Sequence, residues 1–139
     1  MKWNNSLHEA SAIVLVACFP FFFQAFAQEK PKPWNIPESA KKLKNPLKSN
    51  TENLSIGKAV YAKHCKSCHG KTGEGDGTKA PELKTFPGDF TTEAFNAQSE
   101  TEIYYKTSEG RDDMPSFKKK IEDEEDIWAV VLYIRTMKK

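Results

Sequence analysis

The stretch His64-Cys65-Lys66-Ser67-Cys68-His69-Gly70 decides how this chain is organised, because it sets two thiols one helical turn apart and an imidazole directly after the second. This C-x-x-C-H spacing suits a flat ring with two vinyl groups on one edge and a metal at its centre. Both thiols can add to the vinyls of a haem while His69 points at the iron. The thioethers would hold the ring against the helix, so His69 would stay bound in both iron oxidation states without relying on affinity alone.

Three other readings account for less of the chain. A zinc site could recruit His64, Cys65, Cys68 and His69, but no second Cys or His pair lies downstream, and four ligands within six residues would struggle to close a tetrahedron. A thioredoxin-like redox pair wants a strand before Cys65 and a βαβ context. A plain disulfide leaves His69 without a purpose.

Working outward, a helix opens near Ser55, an acceptable N-cap, with Ile56, Ala59, Val60 and Lys63 at helical spacing, and runs into the motif. Residues 71–78 follow as a glycine-dense loop that lacks the spacing of a phosphate or dinucleotide cradle. Ser99-Glu100-Thr101-Glu102 is a capping box that starts a second helix, and Gly110 stops it. The last helix begins near Asp123, with Asp126 at capping-box distance. Its apolar stripe is Ile127, Val130, Val131, Ile134 and Met137, and Arg135, Lys138 and Lys139 lie at its end. With no internal repeat and no alternating apolar run, the expected fold class is all-α, about three to five helices wrapped around one covalent cofactor.

The two ends of the region before the motif read differently. Residues 1–27 resemble an export segment: a weakly basic start at Lys2, a mostly apolar stretch from Ala10 to Ala27, and a cleavage pattern at Ala25-Phe26-Ala27. Two competitors are an uncleaved anchor, given 18 residues at the lower limit for spanning a bilayer, and a lipoprotein box at Leu15-Val16-Ala17-Cys18. All three place the remaining chain outside the cytoplasm, where an isolated close cysteine pair would ordinarily be a disulfide. Residues 28–50 interleave Pro31, Pro33, Pro37 and Pro46 with lysines and read as an extended basic arm with one aromatic anchor, Trp34. Residues 51–139 are then the folded domain. The formal net charge of +2 is unchanged by removal of residues 1–27 and gives no reason to expect nucleic acid.

The motifs Gly57-x-x-x-Tyr61-x-x-x-Cys65-x-x-Cys68-His69-Gly70, Gly73-x-Gly75-Asp76-Gly77, Ala80-Pro81-x-Leu83, Phe86-Pro87-x-Asp89-Phe90-Thr91, Met114-Pro115-x-Phe117 and Ile127-Trp128-x-x-Val131-x-Tyr133-Ile134-Arg135 occur in that order. Together they resemble a monohaem class I cytochrome c of the bacterial periplasmic type. The resemblance implies a small cytochrome c fold in which the N-terminal and C-terminal helices cross beside the haem, with Gly57 permitting close approach and Trp128 and Val131 packing there. It also implies that the Pro81 carbonyl accepts the Nδ1 proton of His69, which leaves Nε2 for iron. A loop proline without that role is the plainer reading.

The second axial ligand expected is Met114, on a loop between helices and followed by proline. A thioether is soft and does not titrate, so it favours ferrous iron and raises the reduction potential. Met137 belongs to the stripe of the last helix, and His64 adjoins Cys65 and cannot readily reach the opposite face of the ring. Arg111, near Met114, reads either as a haem-propionate partner or as a surface arginine. The function expected is one-electron transfer by one haem c in the periplasm, by a monomeric carrier that is not itself an enzyme. Its partners would be a redox donor and acceptor, such as a membrane complex, dehydrogenase, oxidase or reductase. Membrane contact would require retention of residues 1–27 or lipidation of Cys18. Two rivals stand beside this: a haem c subunit of an oxidoreductase complex, docked through residues 28–50, and a ligand-binding or peroxidatic haem protein, if Met114 does not bind iron.

Overall fold

Two helices cross at a glycine, and the rest of the domain is arranged around that crossing. In the computed structural model, which describes Gln28 and residues 31–139, the elements are α1 (Glu38–Lys41), α2 (Thr51–His64), α3 (Lys66–His69), a 3-10 turn (Ala80–Glu82), α4 (Glu93–Asn96), α5 (Glu100–Glu109) and α6 (Glu124–Arg135). The fold is all-α. Arg111 and Met114 form an isolated bridge. The export segment expected at 1–27, with Cys18, lies outside the described residues.

Helix α2 starts earlier than Ser55. Asn50 is extended and its side chain accepts from the Asn53 amide at 2.8 Å, so Asn50 takes the capping position and Ser55 falls inside the helix. The buried face also differs from the expected one. Gly57 and Tyr61 are buried, Val60 and His64 are half-buried, and Ile56 is exposed. The reason is the crossing: a β-carbon on Gly57 would lie 2.1 Å from the Ala129 carbonyl oxygen of α6, so the face with the least side chain is the one that meets α6. Gly57 therefore meets Ala129 and Tyr133, while Val60 of the same helix packs against the cluster that holds Trp128 and Val131.

Helices α5 and α6 follow their sequence signals more closely. Ser99 and Glu102 form the reciprocal capping box, and Gly110, at φ 66°, ends α5. Asp123 caps α6 by accepting from the Glu125 amide at 2.9 Å. The stripe Ile127, Val130, Val131 and Ile134 is almost wholly buried, and α6 stands between two apolar clusters. Ile127, Trp128 and Val131 pack with Ile103, Tyr104, Phe117 and Ile121. Val130 and Ile134 pack with Tyr61, Cys65 and Phe90. Tyr104 stacks flat on Trp128 with ring centroids 3.8 Å apart. Arg135 also reaches beyond its own helix end, donating to the carbonyls of Asn96 and Gln98 and holding the α4–α5 junction.

The described residues of the arm, Gln28 and 31–50, make several contacts with the domain. Gln28 donates to the carbonyls of Ala80 and Leu83 at 2.5 and 3.1 Å, Ala40 of α1 is buried, Asn45 donates to Glu100 at 2.9 Å, and Leu47 packs against the first cluster. Trp34 meets Tyr105 edge-on at 6.5 Å.

Candidate functional site

Cys65 sits where α2 gives way to α3, and the local hydrogen bonds explain why the motif holds its shape. The Cys65 amide still donates to Tyr61 at 2.9 Å as the last bond of α2, while its carbonyl accepts from Cys68 and His69 at 3.1 and 3.0 Å to begin α3. A one-turn helix leaves its last carbonyls without intrahelical partners. Here the glycine loop supplies them: Lys79 donates to Ser67, Gly77 to Cys68 and Gly75 to His69, at 2.8, 3.2 and 2.9 Å. Gly70 donates to Lys66 at 2.9 Å, and the buried Tyr61 hydroxyl donates to the Gly70 carbonyl at 2.8 Å. The carbonyls of residues 65–70 are thus all bonded. Gly77 must be glycine because a β-carbon there would lie 2.3 Å from the Ser67 carbonyl oxygen. Desolvation holds the Tyr61 hydroxyl protonated as a donor well into alkaline pH. Tyr61→Phe is expected to cost about 1–3 kcal/mol in chemical unfolding, because the Gly70 carbonyl would lose its donor in a buried setting.

Cys65, Cys68, His69 and Met114 line one cavity of 290 Å³, bounded mainly by apolar groups that include Phe86, Phe90, Phe95 and Ile103. Cys65 is buried and Cys68 partly so, and both are free thiols. Burial pushes the Cys65 thiol up to about 12, so it is a neutral side chain in the apolar wall. His69 stacks on Phe90, centroids 4.4 Å apart at 26°. Burial lowers its imidazole to about 4, which keeps it neutral, with a lone pair available, above that pH. Its Nδ1 is buried with no hydrogen-bond partner among the described residues. Nε2 is therefore the nitrogen left to face the cavity.

The bond expected from His69 Nδ1 to the Pro81 carbonyl is not formed in this structure. Pro81 is exposed at the start of the 3-10 turn, whose neighbouring groups are tied instead to Gly77 and, on the far side, to Gln28. Met114 sits where a tight turn directs it. Arg111 and Met114 exchange both main-chain hydrogen bonds, at 2.7 and 2.9 Å, around Asp112, which has φ 52°. Asp113 in the same turn accepts from the Lys84 amide at 2.8 Å, joining the methionine turn to the opposite cavity rim. Ser116, Phe117 and Lys118 bond the last carbonyls of α5, so the chain after Met114 folds back onto the helix before it. Met137 does not line this cavity; its sulfur packs beside Gly73 on the outer side of the glycine loop.

Several contributors to the cavity have no distinct signal in the sequence. Phe95 and Ile103 could be read only as apolar residues, while Pro31 and Trp34 come from the arm and line the same cavity. Arg111 turns toward the arm, donating to the carbonyls of Pro33 and Lys32 at 3.1 and 2.8 Å and lying 4.3 Å from the Trp34 ring centre. Lys66, Lys71 and Lys79 are exposed around the motif, and Lys118 pairs with Glu109 at 2.7 Å.

These side chains fit a covalent haem: two thiols one turn apart, a neutral imidazole whose buried Nδ1 leaves Nε2 free, a thioether and an apolar surround. Among the described residues, no group of three or more His, Cys, Asp or Glu side chains is placed to hold a bare metal ion. No described helix is long and apolar enough to cross a membrane.

The family described as cytochrome c oxidase, cbb3-type, subunit III, matches residues 52–134. Among solved structures, a chain of the Kuenenia stuttgartiensis reducing HAO-like protein complex Kustc0457/Kustc0458 is similar, at 32% identity and a TM-score of 0.60 over 68% of this chain and 47% of that one. The present chain therefore spans about half the length of that relative. The KustC0563 c-type cytochrome is also similar, at 30% identity and a TM-score of 0.53 over 60% of this chain and 98% of that one. No curated protein matches the chain.

Proposed function

This chain belongs to the c-type cytochrome family described as cytochrome c oxidase, cbb3-type, subunit III, and on that basis we propose that it is a periplasmic one-electron carrier with His69 and Met114 as axial ligands of a single haem c. The family membership carries covalent haem and electron transfer. The ligand pair, the compartment and the haem count are our reading. In it, residues 1–27 direct export, residues 28–50 form an arm and residues 51–139 the haem domain.

The observation that supports it best is the convergence of Cys65, Cys68, His69 and Met114 on one apolar cavity. Bound there, the haem supplies a couple between ferrous and ferric iron. Cys65 and Cys68 would anchor its edge from two points on the α2–α3 junction. His69 Nε2 and the Met114 sulfur would fill the two axial positions and deny the iron to other ligands. Phe90 orients the His69 ring by stacking, and the apolar lining keeps water away, which favours the less charged ferrous state. No side chain in this set is required to make or break a substrate bond.

The test is the absorption spectrum of protein exported in a host that attaches haem, oxidised and reduced. Sharp reduced bands should survive denaturation, and a weak long-wavelength sulfur-to-iron band should appear on oxidation. In Cys65→Ala/Cys68→Ala protein the haem should extract into acidified organic solvent. Haem that extracts from the parent protein would overturn the attachment, and a missing sulfur band would overturn the methionine. The second reading, a haem c subunit of an oxidoreductase complex, is favoured by the relative named for a protein complex. Co-purification with a larger redox protein from the native membrane or periplasm would select it over the free shuttle.

A further inference from the structure

Arg111 works in two directions. Its main chain brackets Met114 through the paired hydrogen bonds at 2.7 and 2.9 Å, and its guanidinium holds the arm through the carbonyls of Lys32 and Pro33 and the face of Trp34. Nothing in the role of a haem-propionate partner or a surface charge requires that combination. On the opposite rim, Gln28 donates to the carbonyls of Ala80 and Leu83. Pro31 and Trp34 line the cavity that Met114 also lines.

We infer, building on the haem assignment above, that residues 31–34 form a fixed wall of the haem cavity, with Trp34 and Arg111 as positioning residues that limit the entry of water and small ligands on the Met114 side. Three features of the chain suit this task. Pro31 and Pro33 restrict the arm before it docks, so less chain entropy is lost on holding it there. A guanidinium presents several donors in one plane, so it can hold two successive carbonyls and lie over an indole at once. The tryptophan is held from two sides, by Arg111 at 4.3 Å and by the edge of Tyr105 at 6.5 Å, which fixes it as a wall more firmly than a single contact would.

The arm and the methionine turn are therefore coupled through one residue. Loosening the arm should expose the iron, and should do so even when the substitution lies outside the turn.

The experiment is imidazole binding to the ferric haem-loaded chain, followed by absorption, in the parent protein, Trp34→Ala, Arg111→Ala and, as a surface control, Lys58→Ala. Trp34→Ala leaves the paired bonds of the methionine turn in place, so it separates wall from turn. The expected result is an imidazole dissociation constant lowered at least about tenfold in Trp34→Ala and Arg111→Ala, as when a closed state holding about 90% of the molecules is removed. Trypsin cleavage at Lys41 to Lys44 should accelerate in the same two variants and not in Lys58→Ala. Dissociation constants and cleavage rates within twofold of the parent in both variants would overturn the wall. Because each comparison is with the parent, it does not depend on which residue is the sixth ligand. A parent without the sulfur band but with lower imidazole dissociation constants in the variants would remove the Met114 ligation and keep the wall. A parent with the band and no change in the variants would do the reverse.

Discussion

Replacing Met114 with leucine is expected to abolish the sulfur-to-iron band and to lower the reduction potential by on the order of 0.1–0.2 V, a modest part of the roughly 0.8 V that axial ligands span. Leucine is close to methionine in volume, so the apolar packing should change little. The turn that carries residue 114 does not depend on the thioether: Arg111 and Met114 pair through main-chain atoms, and Asp113 ties the turn to the Lys84 amide. The backbone should therefore stay in place while the ligand is lost, and carbon monoxide should then bind the reduced protein. Met137→Leu is the matched comparison, because that sulfur lies beside Gly73 and outside the cavity. A band that survives Met114→Leu, or disappears in Met137→Leu, would reverse the assignment.

Gly57→Ala should destabilise the domain by about 2–3 kcal/mol, although the same change at an exposed helical position would add about 1 kcal/mol through helix propensity. The sign reverses because the new methyl would lie 2.1 Å from the Ala129 carbonyl oxygen and 2.9 Å from the Tyr133 β-carbon. One obstacle is backbone and the other is a side-chain root, so neither can rotate away. Helix α2 must instead lift off α6, loosening Val130 and Val131, whose side chains are fully buried. For a domain of this size, that corresponds to a fall in melting temperature on the order of 10 °C or more in the haem-loaded protein. An unchanged or higher melting temperature would show that the crossing is wider than described.

The parts of this molecule that could be read in advance are those whose physics is local. A capping box at Ser99 and Glu102, a stop at Gly110, a stripe from Ile127 to Ile134 and a C-x-x-C-H pentapeptide each carry their instruction within a few residues. What could not be read depends on partners far along the chain. Ile56 looked like the buried face of α2 because it is apolar, yet the crossing selected Gly57 because it has no side chain. Arg111 showed only a charge near a loop, and its use is set by carbonyls 78 and 79 residues away. The arm read as an extended segment because it is basic and rich in proline. Its docking rests on Gln28, Trp34, Ala40 and Asn45, each an ordinary residue whose contact comes from elsewhere in the fold. The one-turn helix α4, capped by Thr92, is too short to leave a periodic pattern.

The glycine-dense loop, by composition the softest part of the chain, is by its hydrogen bonds a brace: Gly75, Gly77 and Lys79 hold the carbonyls of His69, Cys68 and Ser67. An electron moves quickly between two centres when few atoms must shift as it arrives or leaves. With the main chain behind His69 pinned at three successive carbonyls and again by Tyr61 at Gly70, an iron held by that imidazole, as proposed, would have a seat with little room to relax when its charge changes. The nuclear rearrangement that slows such an exchange would then be kept small by the main-chain amides of a segment in which every second residue from 73 to 77 is glycine.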